Sequence, residues 1–251
     1  TFFKRIDSSG FSFLLTLYRH ILRNMVFIYA LDNKLKLPIG DETSLPYEFL
    51  DDDDPTSFFS SEEKPTISED KGEIIIPTDL NVYMRKAEEY YNIKTKKNNI
   101  SMIDGKFFKR TLKQKLKKDC ETILQMINLC GNWIPKTDQK LNELQKLLCE
   151  THKGEKVVIF TQYSDTANYI YRQLVKRGVQ QIAVVTGDSD NPTAIVEKFS
   201  PISNDKPNMP ADEQYRIIIA TDVLSEGQNL QDSHLIVNFD LPWAIIRLIQ
   251  R

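Results

Sequence analysis

The sequence predicts an α/β fold, a parallel sheet sandwiched between layers of helices and preceded by a mainly helical segment. Three observations carry this. Short β-branched runs, Val157–Phe160, Ile182–Val185, Ile217–Ala220 and Leu235–Phe239, follow one another after Gly154. Helical patterns alternate with these runs, as they do in parallel βαβ units. Upstream of Gly154 the apolar residues recur instead at the 3.6-residue period of helices.

Taken in order, the first helix is expected from Ser8 to about Asn33. Phe11, Leu14, Leu15, Tyr18, Ile21, Leu22, Met25 and Ile28 share its apolar face; Ser8 or Ser9 serves as N-cap and Asn33 as stop. With it, residues 1–40 read as an N-terminal helical segment. From Pro38 to Pro77 the chain is acidic, carries Pro, Ser and Thr, and shows little periodicity, so 41–77 read as an acidic loop or linker.

Residues 78–153 read as a helical, basic segment. Leu80, Met84, Ala87 and Tyr91 form one stripe; Phe108, Leu112, Leu116, Ile123 and Ile127 form a longer one. A third helix follows Thr137, with Leu141, Leu144, Leu147 and Leu148 on one side. Beyond Gly154, Ser164 is placed to cap a helix carrying Ala167, Ile170, Tyr171, Leu174 and Val175, which Gly178 ends. A short helix holds Ile195, Val196 and Phe199, and Pro201 to Pro210 is a polar excursion before the third strand.

Composition narrows the class. With 41% apolar and 27% charged residues, the chain has the make-up of an ordinary globular protein. It has no apolar run approaching the roughly 18 residues of a membrane span, so no membrane partner is expected. The N-terminus lacks a secretory layout and an initiator Met, from which the chain is expected to be excised from something longer. Cys120, Cys130 and Cys149 are odd in number and never two apart, against a disulfide framework or zinc site and for a reducing, cytoplasmic setting. His20, His152 and His234 are scattered, with no ligand cluster.

The net charge of −2 hides segregation: residues 41–73 hold twelve acids against Lys64 and Lys71, and residues 94–118 hold ten Lys/Arg against Asp104. The acidic block reads as solvated chain. The basic block suits a phosphate-facing helix or a solubilising surface, with Lys113 and Lys117 the candidate nucleic-acid contacts.

In a parallel sheet, ligands gather at the carboxyl ends of the strands. Thr161 and Gln162 follow the first strand, Thr186, Gly187 and Asp188 the second, Asp240 the fourth. After the third comes the densest polar cluster, Thr221-Asp222-Val223-Leu224-Ser225-Glu226-Gly227-Gln228-Asn229. Hydroxyls, amides and a permissive glycine there suit phosphate binding, and ordinary turn chemistry favours the same residues.

Three stretches add a resemblance. Lys156-Val-Val-Ile-Phe-Thr-Gln-Tyr resembles motif IV of superfamily 2 helicases, and Arg216-Ile-Ile-Ile-Ala-Thr-Asp-Val-Leu-Ser-Glu-Gly-Gln-Asn-Leu-Gln resembles motif V and its continuation. Pro242-Trp243 and the following Arg247-Leu-Ile-Gln250-Arg251 resemble the approach to motif VI and its opening. The wording is most similar to the Swi/Snf-type branch, in particular to bacterial members related to RNA-polymerase recycling factors. The likeness covers roughly the last hundred residues strongly, and less distinctively the helical opening Phe3-Lys4-Arg5-Ile6-Asp7-Ser8-Ser9.

The resemblance implies that 154–251 are the second RecA-like lobe of an ATP-driven motor, truncated at motif VI. It implies that Thr161, Gln162 and Thr221 lie on the nucleic-acid track, duplex DNA being the expected polymer. It places Gly227, Gln228, Asn229, Gln250 and Arg251 at the nucleotide cleft, with ATP and Mg²⁺ as cofactors of the intact protein and none expected bound to this chain. The first RecA-like lobe is the implied partner.

Departures are equally specific. The chain holds no Gly-x-x-x-x-Gly-Lys-Ser/Thr loop and no Asp-Glu-x-His box. Ala244 and Ile245 stand where the family has Asn-Pro, and Pro192-Thr193-Ala194 where an arginine is usual. The isolated chain is therefore expected to be catalytically inactive. The rival reading is a non-catalytic RecA-like interaction module.

Overall fold

The structure, a computed structural model, describes residues 2–41, 68–70, 73–96, 100–187, 189–224, 228–242 and 245–250. Its contacts divide the chain into two compact units: Thr1–Phe3 with Phe13–Trp133, and Lys4–Ser12 with Ile134–Arg251.

The first unit is mainly helical. Helix α1 (Phe2–Ser8) breaks at Ser9, and α2 runs from Gly10 to Asp32; α1 from Lys4 onward and the opening of α2 to Ser12 are counted with the second unit. Leu14, Leu17, Tyr18, Ile21, Leu22, Met25, Val26 and Ile28 are all buried, which is more than one stripe; a helix apolar on most sides sits inside its fold. At its end the Asn33 amide donates to the Tyr29 carbonyl at 2.9 Å, satisfying one of the orphan acceptors there.

Strand β1 (Leu37–Asp41) pairs antiparallel with β4 (Ile100–Ile103), and β2 (Ser68–Asp70) with β3 (Glu73–Ile75). Strands β2 and β3 fall in the stretch 41–77 read as loop, and β1 reaches its first residue. Ser-Glu-Asp offers no apolar alternation, and β1 contains Pro38 and Gly40, where the register slips. Gly105 follows β4 because a Cβ there would meet Leu31 Cδ2 at 3.3 Å.

Helix α3 (Leu80–Lys96) buries Tyr83, Ala87 and Tyr91. Tyr83 lies 5.2 Å from the Tyr18 ring and donates its hydroxyl to the Pro77 carbonyl, a partner that permits burial of a phenol. Helix α4 (Leu112–Cys130) buries Leu116, Cys120, Ile123 and Ile127, leaving Lys115, Lys117 and Lys118 on its exposed face.

The second unit is the α/β layer. Its four strands β5 (Val157–Phe160), β6 (Ile182–Val185), β7 (Ile217–Ala220) and β8 (Leu235–Asn238) lie in the order β6-β7-β5-β8, with every pairing parallel. Val157, Ile159, Ile217 and Ile219 are as buried as Val158, Phe160, Ile218 and Ala220, so both faces of the sheet centre are covered.

One face packs with Val196 and Phe199 of α7 (Pro192–Phe199) and with Leu224. Helix α6 (Ser164–Lys176) packs against β6 and β7 without entering that cluster. It is the other flanking layer. Tyr163, not Ser164, is the capping residue of α6, and the buried face holds Thr166, Tyr169 and Gln173 in place of Tyr171 and Val175. Gly178 ends the helix at φ 83°, a backbone that favours glycine.

Ahead of the sheet, α5 (Gln139–Lys146) begins on Asp138, whose Oδ1 accepts the Leu141 N–H at 3.1 Å, and ends in a π-turn over Leu147–Thr151. Helix α8 (Ile245–Gln250) closes the described chain.

Candidate nucleic-acid interface at the sheet rim

Parallel strands end together along one edge, where loop residues are free to face a ligand. Here Phe160 is level with Ala220 and with Asn238, and Val185 with Ala220. One further residue after each of β5, β7 and β8 is tied in by the backbone. Thr161 N–H donates to the Ala220 carbonyl at 3.0 Å, Thr221 N–H to Val185 at 3.1 Å and Phe239 N–H to Phe160 at 2.8 Å. Thr161 and Thr221 therefore begin adjacent loops on one rim.

Behind Thr161 sits the buried carboxylate of Asp240. Its Oδ2 accepts from the Thr161 hydroxyl at 2.5 Å and from the Ser8 hydroxyl at 2.5 Å, and its Oδ1 accepts the Gln162 backbone N–H at 2.8 Å. An ionised carboxylate has acceptor sites for all three, and bonds to a charged acceptor are the stronger kind. The Thr161 hydroxyl is thus turned inward. Gln162 is only half-buried, and its Nε2 donates to the Leu241 carbonyl at 2.8 Å.

Helix α1 is held by the same network. Ser8 Oγ lies 2.8 Å from Thr166 Oγ1, which lies 2.7 Å from Ser12 Oγ. Arg5 pairs with Asp165 at 3.2 Å and stacks 4.0 Å over the Tyr163 ring. Lys140 Nζ donates to the carbonyls of Asp7 and Ser8 at 3.0 Å each, a cation at a helix C-terminus where the dipole favours it. Burial lowers the Lys140 pKa, opposed by the charges of Asp240, Asp138 and Asp7.

The continuation of the third strand is tied down on its far side. Asn229 Nδ2 donates to the Ser203 carbonyl at 2.6 Å, and Asn204 Nδ2 to the Asn229 carbonyl at 2.9 Å. Asp232 accepts the backbone N–H groups of Ile202 at 2.9 Å and Ser203 at 3.0 Å. Burial works to raise the Asp232 pKa, but these bonds and the Ser203 hydroxyl outweigh it and hold the carboxyl below its usual value. The polar excursion after Pro201 is therefore fastened to the loop that carries Gln228 and Asn229.

The remaining candidates are placed as follows. Gly227 and Arg251 lie outside the described residues, and Gln250 lies in α8. Lys117 is exposed on α4 in the first unit, where Lys113 is bridged to Asp32. Asp240, one of the strand-end residues, and Ser8 join the rim through their hydrogen bonds, beyond the roles that the resemblance implies. Asp240 follows a strand end, so its place on the rim was readable; nothing in the sequence marks Ser8 as its partner. Among the described residues no three His, Cys, Asp or Glu side chains group as a metal cradle, and no helix is long and apolar enough to cross a membrane.

With this geometry in view, residues 139–251 match the helicase conserved C-terminal domain. An uncharacterized ATP-dependent helicase of Bacillus subtilis, YqhH, is 28% identical over 143 residues, which are 57% of this chain and 24% of that protein. The chain thus spans about a quarter of the length of this relative. Two solved structures are similar. The Hef helicase domain of Pyrococcus furiosus is 20% identical with a TM-score of 0.36, covering 68% of this chain and 31% of that one. The C-terminal part of the Fun30 ATPase domain is 17% identical with a TM-score of 0.38, covering 65% of this chain and 47% of that one. Residues 139–251 are thus similar to helicase C-terminal domains.

Proposed function

We propose that this chain supplies the second RecA-like lobe of an ATP-dependent, Swi/Snf-type nucleic-acid translocase working inside the cell on duplex DNA. The observation that carries the proposal is the rim itself: the motif IV loop at Thr161–Gln162 and the motif V loop at Thr221 are neighbours at the ends of paired strands.

In this reading Gln162 and Thr221 form part of the track for the phosphate backbone. Gly227, Gln228, Asn229, Gln250 and Arg251 border the nucleotide. Phosphoryl transfer needs a phosphate cradle and Mg²⁺ ligands as well as a cationic clamp. The proposal assigns the cradle and the ligands to the first lobe, because this chain holds neither motif. The intact protein, expressed from its full reading frame, is expected to hydrolyse ATP with Mg²⁺ and to be stimulated by duplex DNA, while residues 1–251 alone turn over none. Turnover by the isolated chain, or an intact protein indifferent to nucleic acid, contradicts the proposal.

The first unit adds a basic face on α4. Lys117 is exposed there, whereas Lys113 already neutralises Asp32. Each phosphate contact contributes about 0.9 to the slope of log K against log salt. Lys117→Glu is therefore expected to weaken duplex binding by the intact protein and to flatten that slope by about 1, with Lys113→Glu doing less. Titration by fluorescence anisotropy over a salt series checks this, and an unchanged slope leaves α4 as a solubilising surface.

A further inference from the structure

We propose that Asp240 is the positioning residue of the rim, fixing the Gln162 loop for nucleic acid and placing α1 under the same control through Ser8. The inference rests on the reading of Gln162 as part of the track.

Several hydrogen bonds converge on one side chain. Asp240 accepts the Gln162 N–H, the Thr161 hydroxyl and the Ser8 hydroxyl, all within 2.8 Å. The next residue, Leu241, accepts the Gln162 side-chain amide at 2.8 Å. Gln162 is thereby fixed at its backbone and at its side chain, both times by the loop that follows β8. A half-buried amide held at two points loses little further freedom when it meets a ligand, and such preorganisation is where binding energy is conserved.

Thr161 has a different part. Its hydroxyl is spent on Asp240 and it is fully buried, so it shapes the loop instead of touching the polymer.

The second step concerns α1. Ser8 is its last residue, and its hydroxyl is bonded to Asp240 and Thr166 while Lys140 holds its carbonyl. Arg5, one turn earlier, is clamped by Asp165 and Tyr163 at the start of α6. Removal of α1 from this seat would take the Ser8 hydroxyl away from both Asp240 and Thr166. A displacement of α1 would therefore reach Gln162 through the Asp240 carboxylate, which bonds both Ser8 and the Gln162 N–H.

Asp240→Asn tests this in the intact protein. Asn keeps the volume and one acceptor for the Gln162 N–H, but turns an NH₂ group towards two hydroxyls that now donate. Affinity for a fluorescein-labelled DNA duplex is expected to fall roughly tenfold, the scale of one charge-assisted hydrogen bond. The salt slope should stay unchanged, since no phosphate-facing cation is removed. Ser8→Ala should give a smaller loss in the same direction. Gln162→Ala should weaken binding by itself, and Asp240→Asn added to Gln162→Ala should weaken it no further, because the group it positions is gone.

Additive losses, or an Asp240→Asn protein that binds like the parent while Gln162→Ala does not, overturn the positioning role alone. Normal binding by Gln162→Ala overturns the track reading and this inference with it. Should Asp240→Asn fail to fold, Ser8→Ala and its combination with Gln162→Ala decide by the same criterion.

Discussion

Phe199→Ala is expected to lower the stability of the α/β unit by about 3–5 kcal/mol, the cost of removing a large aromatic from a core that does not collapse around the cavity. Phe199 has no exposed surface and packs with Val158, Phe160, Ala183, Val185, Val196, Ile218, Ala220 and Leu224. Six of these come from three strands, Val196 from α7 and Leu224 from the turn after β7, so most of them cannot move into the space without dragging a sheet ladder along.

A second contact is much weaker. Lys156 Nζ stands 5.7 Å from the ring centroid, an arrangement worth about 0.5–1 kcal/mol at most sites. That lysine also donates to the Phe199 carbonyl, a backbone bond that alanine keeps. The dispersion and transfer terms therefore decide the outcome. Since whole domains are stable by about 5–15 kcal/mol, the variant loses a large part of its margin. Its melting temperature should drop by about 15 °C. Thermal unfolding followed by far-ultraviolet circular dichroism checks it; a shift of only a degree or two would mean that this core is not as tightly filled as the burial implies.

The same packing explains how much was legible beforehand. The strands at Val157, Ile182, Ile217 and Leu235 announce themselves because a strand covered on both faces must be apolar throughout, and their parallel order follows from the helices between them. The face of α6 was less readable. Tyr171 and Val175 fit the apolar period, but Tyr169 goes inside, stacked 4.8 Å from Phe11 with its hydroxyl on Asp138, and Thr166 goes inside because Ser8 and Ser12 satisfy its hydroxyl. Partners more than thirty residues away decide both cases, and a local period carries no information about them.

The rim shows the same division. That Thr161, Thr221 and Asp240 gather at strand ends follows from the topology. That the Thr161 hydroxyl turns inward to Asp240, beside a Ser8 hydroxyl 153 residues upstream, is set by tertiary contacts. Strands β1 to β4 of the first unit escaped for another reason. They are three to five residues long, too short to show a period, and β1 and β2 are rich in Ser, Glu, Asp, Pro and Gly, so their pairing is imposed by tertiary contacts against local propensity.

Acid is expected to weaken the first unit through His20. Burial lowers its pKa from 6.5 to about 4, assisted by the charge of Arg23 and opposed by Asp119. Arg23 Nη2 lies 3.3 Å from Nε2, an approach that suits a neutral ring and penalises a cationic one. In the unfolded chain the imidazole takes up its proton near pH 6.5; in the folded unit it does so only near pH 4. Between those values the unfolded state binds more protons, so stability is full above pH 6.5 and declines as the pH falls towards 4.

Because the ring keeps partial contact with solvent, the loss amounts to about 2–3 kcal/mol and not the full value for a dry site. Tyr18, whose phenol burial pushes up to about 12, and Cys120, likewise pushed to about 12, do not titrate in this window. Carboxylates do, so the test is a comparison. His20→Gln keeps an acceptor for Arg23 but no titrating group. Its denaturant midpoint should match the parent at pH 7 and exceed it at pH 4.5. Parallel pH profiles for the two proteins would assign the acid sensitivity to the carboxylates and remove His20 from the account.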